Sequence, residues 1–147
     1  MKTKHSAGFT LLEIVISISV LVIVASISVP IYQSFRARND INIAGMEIAQ
    51  SVRRAEILSQ AVDGDTSWGV GVQMGSITLF KGTSYADRDV DFDEVFEMPT
   101  NITPSGLSEI VFAKFTGLPE VSGTFILTLA GGETRSIIIN EKGMVDY

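Results

Sequence analysis

The sequence predicts an α+β chain in which one long N-terminal helix packs, through its second half, on a C-terminal antiparallel β-sheet domain. Three observations carry this. Residues 9–29 read FTLLEIVISISVLVIVASISV, 21 positions with Glu13 as the only charge, and about 20 apolar residues cross a bilayer as a helix. Between Ile41 and Val62 the apolar residues step by three and four, the spacing of an amphipathic helix. After Ser67 the period falls to two and glycines punctuate it, as in strands joined by tight turns.

With 147 residues, 46% of them hydrophobic, the chain can build one domain with a modest core. Only Glu13 among the 17 acids precedes Asn39, and only Lys2, Lys4, Arg36 and Arg38 among the 11 bases do. The part beyond therefore sets 16 acids against 7 bases, a field that opposes contact with nucleic acid or anionic lipid. There is no cysteine, and the one histidine, His5, lies ahead of the apolar run. Disulfides, thiolate–imidazole pairs, Ser–His triads and Cys/His zinc sites are excluded from the domain on that count.

The elements follow in order. Residues 1–8, MKTKHSAG, form a leader with two lysines and no acid, and bases ahead of an apolar stretch keep that end in the cytoplasm. Residues 9–29 form the membrane segment. Pro30 ends the strictly apolar run and is expected to kink or locally melt the helix. Residues 30–62 continue it, with Ile41, Ala44, Ile48, Val52, Ala55, Leu58 and Val62 on the face to be buried and Glu47, Gln50, Arg54 and Gln60 opposite. Asp63-Gly64-Asp65 stops the helix, and residues 63–147 form the β-rich domain. Residues 68–74 and 77–81 read as a hairpin around Gly75-Ser76. Further strands are expected at 94–102, interrupted near Pro99, and at 107–115, 124–129, 134–140 and 144–147. Ile137-Ile138-Ile139 is too apolar on both faces for an exposed edge.

Glu13 is the anomaly. A charge near the centre of a membrane helix costs roughly 2.5–3.5 kcal/mol. A secretory signal would be cut after its apolar run, where Ala25-Ser26-Ile27-Ser28 loosely fits. The better small-residue junction, Ala7-Gly8, comes before the run. A cut between Gly8 and Phe9 leaves the apolar segment on the mature chain and frees an ammonium at Phe9, four residues from Glu13. Within one helix these charges meet awkwardly, because the first turn carries Glu13 away along the axis. Between staggered copies the ammonium of one can reach the carboxylate of another. Such a pair offsets two desolvation penalties, and losing one partner costs about 3–5 kcal/mol.

Gly8-Phe9-Thr10-Leu11-Leu12-Glu13, following Lys4, resembles the class III signal of type IV pilins and type II secretion pseudopilins. The resemblance implies a pilin-like α+β fold and cleavage after Gly8 by a prepilin peptidase that also N-methylates Phe9. It also implies that Glu13 pairs with a neighbour's Phe9 amine during assembly. It extends to Pro30, since pilin helices carry a proline at the matching place. Ser51-Val52-Arg53-Arg54-Ala55-Glu56 and Trp68-Gly69-Val70-Gly71-Val72 are similar to the GspH/FimT branch of pseudopilins. So is the later layout of Val111, Phe112, Gly117, Gly123, Thr124, Leu127, Arg135, Ile137, Gly143 and Val145.

The implied protein is a structural minor pseudopilin or pilin subunit, not an enzyme, with no catalytic residue and no cofactor. Its implied partners are the prepilin peptidase/methylase, other pilin or pseudopilin subunits and the cytoplasmic membrane. The domain would sit outside the cytoplasm until the chain enters a type II secretion pseudopilus or a type IV pilus. Two other readings stand beside it. One is a FimT-like minor pilin that takes up DNA through its domain; the other is an anchored surface protein that never polymerises, for which Glu13 is dispensable.

One dense cluster remains, Asp87-Arg88-Asp89-Val90-Asp91-Phe92-Asp93-Glu94. Asp87, Asp89, Asp91 and Asp93 alternate, so in an extended segment they share a face and repel unless solvated or bridged by a cation such as calcium; the plain reading is a solvated acidic loop, with a calcium site as the alternative. An EF-hand loop counted from Asp89 fails, with Glu94 at the glycine position and Thr100 at the closing glutamate. A carboxylate-pair hydrolase has no support, because nothing marks one acid as desolvated and another as solvated. The excess of acids over bases predicts negligible DNA binding by the part beyond Asn39 at physiological salt. A mobility-shift titration checks this; micromolar binding would point instead to a local patch at Arg53, Arg54 and Arg135.

Overall fold

The computed structural model describes residues 8–147, apart from the side chains of residues 27–31. Helix α1 spans Leu11–Gln60 and is followed by a 3-10 turn at Asp63–Asp65. Eight strands follow: β1 Trp68–Gln73, β2 Ser76–Lys81, β3 Asp89–Glu97, β4 Ile102–Gly106, β5 Glu109–Phe112, β6 Gly123–Leu129, β7 Thr134–Ile139 and β8 Val145–Asp146. The chain divides into two compact units, Met1–Ala37 and Arg38–Tyr147.

In the first unit the apolar side chains lie open: Leu11 is 82% exposed, and even Ile14 is 49% exposed. Polar groups within the run are satisfied locally. The hydroxyls of Ser17, Ser19 and Ser26 donate to the carbonyls of Glu13, Val15 and Val22, each at 2.7 Å, which is the pattern that lets serine sit in an apolar helix. The expected membrane segment, 9–29, runs into residues whose side chains lie outside the described ones, and so does the expected kink at Pro30. Among the described residues no helix is long and apolar enough to cross a membrane.

In the second unit the helical stripe is buried as its spacing requires: Ile41, Ala44, Ile48, Val52 and Ala55 are all buried, with Ala49 beside them. Leu58 and Val62 are half-buried. Val62 already has left-handed backbone, φ 55°, which is uncommon for a β-branched residue, and it turns the chain out of the helix. Ser59, fully buried, closes that corner: its hydroxyl accepts from the Trp68 amide at 2.9 Å, and its carbonyl accepts from Phe115.

The strands form two four-stranded antiparallel sheets, β3-β2-β1-β5 and β4-β6-β7-β8. The expected hairpin is present, with Trp68 opposite Lys81 and Gln73 opposite Ser76. β6 puts Phe125, Leu127 and Leu129 into the core, and β7 adds Ile137 and Ile139. β7 lies inside its sheet, between β6 and β8, in keeping with its apolar run. Both sheets meet the helix. Gly45 lies beside Arg135 and Ile137, and Gly143 beside Phe112 and Glu56.

Three strand expectations need correction. The acidic stretch is strand from Asp89 onward, and β3 ends at Glu97 instead of running on to 102; Pro99, lacking an N–H, ends the pairing. A separate strand, β4, occupies Ile102–Gly106, where Thr103-Pro104-Ser105-Gly106 looks like a turn in the sequence. Proline is tolerated there because β4 is the edge of its sheet. The strand expected over 107–115 shrinks to Glu109–Phe112, because Leu107 crosses between sheets. Its amide bonds Thr124 of β6, while the next carbonyl, Ser108, accepts from Val72 of β1.

Gly69 and Gly71 have a packing reason. On the side of β1 away from Trp68, Val70 and Val72, a Cβ at Gly69 would lie 2.5 Å from the Phe80 ring, and one at Gly71 2.5 Å from the Tyr85 ring. The two rings meet edge to face, 5.6 Å between centroids. Gly71→Ala should therefore overpack this layer and cost about 1–3 kcal/mol. Urea unfolding checks it, and combination with Tyr85→Ala should cost less than the sum of the two changes.

Candidate assembly site

Gly8 and Phe9 precede the helix in irregular backbone. Phe9 is 80% exposed, and nothing lies within 4 Å of the position a Cβ on Gly8 would take. Among the described residues nothing covers the Gly8–Phe9 junction. Thr10 is the residue before the first helical one, and its hydroxyl accepts from the Glu13 amide at 3.2 Å. Thr10-Leu11-Leu12-Glu13 is a T-x-x-E sequence, the signature of an N-terminal cap. Sequence reasoning treated Glu13 only as a charge and missed this second role, although the spacing was there to read.

Glu13 itself is exposed in the first turn, where the unpaired amides of the helix start favour a carboxylate. Among the described residues it has no ion-pair partner in its own chain. The structure thus brings Gly8, Phe9, Thr10 and Glu13 together at one uncovered helix start. Lys2, Lys4 and His5 lie outside the described residues.

The four alternate aspartates are not assembled into a site. Among the described residues no group of three or more acids or histidines could hold a metal ion. Three of the four carboxylates have local work. Asp87 accepts from the Ser84 hydroxyl at 3.1 Å, and Asp89 accepts from the Asp91 amide at 3.4 Å. Asp93, largely buried, accepts from Arg88 Nε at 2.8 Å. Arg88 also donates to the Tyr85 carbonyl at 2.7 Å and lies over that ring, 3.9 Å from its centroid. The hydrogen bond to Asp93 pushes the Arg88 guanidinium further above its usual range. Tyr85 is anchored a third way, its amide donating to Glu109 at 2.6 Å. This strap was not legible from the acidic spacing; its signal was the glycine pair in β1.

Comparisons with known proteins agree with the geometry of the N-terminus. The family described as the prokaryotic N-terminal methylation motif matches residues 3–29. Two fimbrial proteins of Pseudomonas aeruginosa are each 28% identical to this chain over 121 residues, covering 77% of it and 79% of their own length. No solved structure matches. The chain thus carries the N-terminal methylation motif, is similar to fimbrial proteins over most of its length, and has a pilin-like arrangement of an N-terminal helix on antiparallel sheets.

The cap generates a prediction. Thr10→Ala should weaken the first turn by about 1 kcal/mol, read as faster exchange of the Glu13 amide in detergent micelles, whereas Thr10→Ser should retain the wild-type rate.

Proposed function

We propose that this chain is a structural pilin-type subunit, cut between Gly8 and Phe9, methylated at Phe9 and assembled through its N-terminal helix into a type II secretion pseudopilus or a type IV pilus. The observation that carries the proposal is the uncovered apolar run behind an open Gly8–Phe9 junction, with one exposed carboxylate in its first turn. A run of that size needs lipid before assembly and neighbouring helices after it. Residues 9–29 serve as the anchor in the cytoplasmic membrane, with the domain outside the cytoplasm, and Pro30 relaxes the helix beyond it. The fimbrial relatives support membership of a polymer. The Trp68-Gly69-Val70-Gly71 stretch supports the GspH/FimT branch and hence a minor subunit. The partners are the prepilin peptidase/methylase and other pilin or pseudopilin subunits.

In this reading Glu13 of one copy meets the Phe9 ammonium of the next, so each charge is buried with its counter-charge. Intact-mass analysis of membrane-extracted protein should give a chain beginning at methylated Phe9; a start at Met1, or beyond Ser28, overturns the reading. Glu13→Val should leave cleavage largely intact and ease membrane insertion, while impairing methylation or entry into sheared fibres. Wild-type assembly by that variant would exclude Glu13 as the pairing group.

A further inference from the structure

Within the second unit, a groove of about 430 Å³ lies between α1 and β3. Asp40, Ile43 and Glu47 line it on the helix side, and Val95, Phe96 and Glu97 line it on the strand side. Successive strand residues point to opposite faces, yet three in a row border this groove. It therefore opens along the edge of the strand and not over one face of the sheet. β3 ends its sheet, with β2 on its other side, so one side of its backbone has no ladder partner. Ile43 and Val95 present apolar surface there, 49% and 58% exposed. Glu94, the residue before Val95 on β3, is held in a two-pronged ion pair with Arg54 of α1, both contacts at 2.6 Å.

A free strand edge beside an apolar groove accepts an extended segment as an added strand. Charge decides which segment. The lining residues include three acids and no base, and among the described residues none of those acids is in an ion pair. The strand itself reads DVDFDEVFE. A second copy's β3 laid against it would set carboxylates opposite carboxylates, which destabilises a pair of strands. The chain has few cations to offer. Of the 7 bases beyond Asn39, Arg54, Arg88 and Lys114 are held in ion pairs, and Arg53 and Lys81 lie over the Tyr147 and Phe92 rings, which leaves Arg135 and Lys142 against 16 acids. A partner that carries its own cations fits the groove better than a second copy.

We propose that the β3 edge and its groove bind an extended segment of a different protein, in which lysines or arginines alternate with aliphatic or aromatic side chains. The segment's backbone pairs with β3, its apolar side chains enter over Ile43 and Phe96, and its cations reach Asp40, Glu47 and Glu97. The acids of β3 act as a filter, rejecting acidic strands, this chain's own included, and admitting basic ones. The site belongs wholly to the second unit, and its test does not depend on the pairing of Phe9 and Glu13.

The test uses the full chain in nanodiscs of neutral lipid and a fluorescent nine-residue peptide of alternating lysine and valine. Anisotropy should show saturable binding, and the matching glutamate–valine peptide should not bind. The triple variant Asp40→Asn, Glu47→Gln, Glu97→Gln should weaken binding at least tenfold. Removing the same charge elsewhere, with Glu120→Gln, Glu141→Gln and Asp146→Asn, should change it less than twofold. Ile43→Ser, at a half-exposed position, should also weaken it. N-methylating alternate peptide amides on one edge should abolish binding, and on the other edge leave it intact. Absent binding, equal loss in both triple variants or indifference to N-methylation would overturn strand addition at this edge. A self-association of the chain that the groove variant abolishes would make a second copy the occupant and overturn the proposal too.

Discussion

Burial of one face of α1 organises the domain. Ile41, Ile48 and Val52 have no more than 1% of their surface exposed, and each such side chain contributes roughly 1.5–3 kcal/mol when removed from water. Both sheets lie along this face. Ile77 of the first borders the groove beside Ala44, and Trp68 bonds Ser59 near the helix end. In the second, Ile137 meets Gly45, while Gly143, just before β8, meets Glu56. Small residues at Ala44, Gly45, Ala49 and Ala55 allow the strands close to the helix. The two sheets then need a crossing point, and Leu107, bonded to β6 beside a β1–Ser108 contact, supplies it.

The first sheet is covered on its other side as well, which is unusual for a sheet that already has a helix against it. The residues following β2 lie back over β1, and Tyr85 fills the flat place left by Gly71. Arg88 fixes the strap by joining the Tyr85 ring and carbonyl to the Asp93 carboxylate. A large part of what looks in the sequence like a charged surface cluster is thus a clasp. The remaining acids of β3 stay at the sheet's edge, where like charge opposes pairing with another acidic strand.

In the first unit the physics is reversed. Phe9 and the described apolar residues behind it are exposed, while serine hydroxyls and the Thr10 cap satisfy polar groups locally. A helix with complete internal hydrogen bonding and an apolar surface all round is suited to lipid or to other helices. The proposed role as a pilin-type subunit rests on this contrast between a closed domain and an open helix.

The local patterns were legible in the sequence by themselves. The 3.6-residue period determined which helix residues are buried, and the alternation in β6 and the glycine turn of the first hairpin determined those strands. The methylation motif at the N-terminus needs only a short stretch of chain, so it was legible too. Tertiary structure decided the rest. Thr103-Pro104-Ser105-Gly106 becomes strand because β6 offers an edge to pair with, and no local signal carries that offer. Asp93 looks like its neighbours in the sequence and differs only because Arg88 folds onto it beneath Tyr85. Whether a carboxylate is ligand, clasp or filter depends on which residues distant along the chain arrive beside it, and packing sets that where period and spacing cannot.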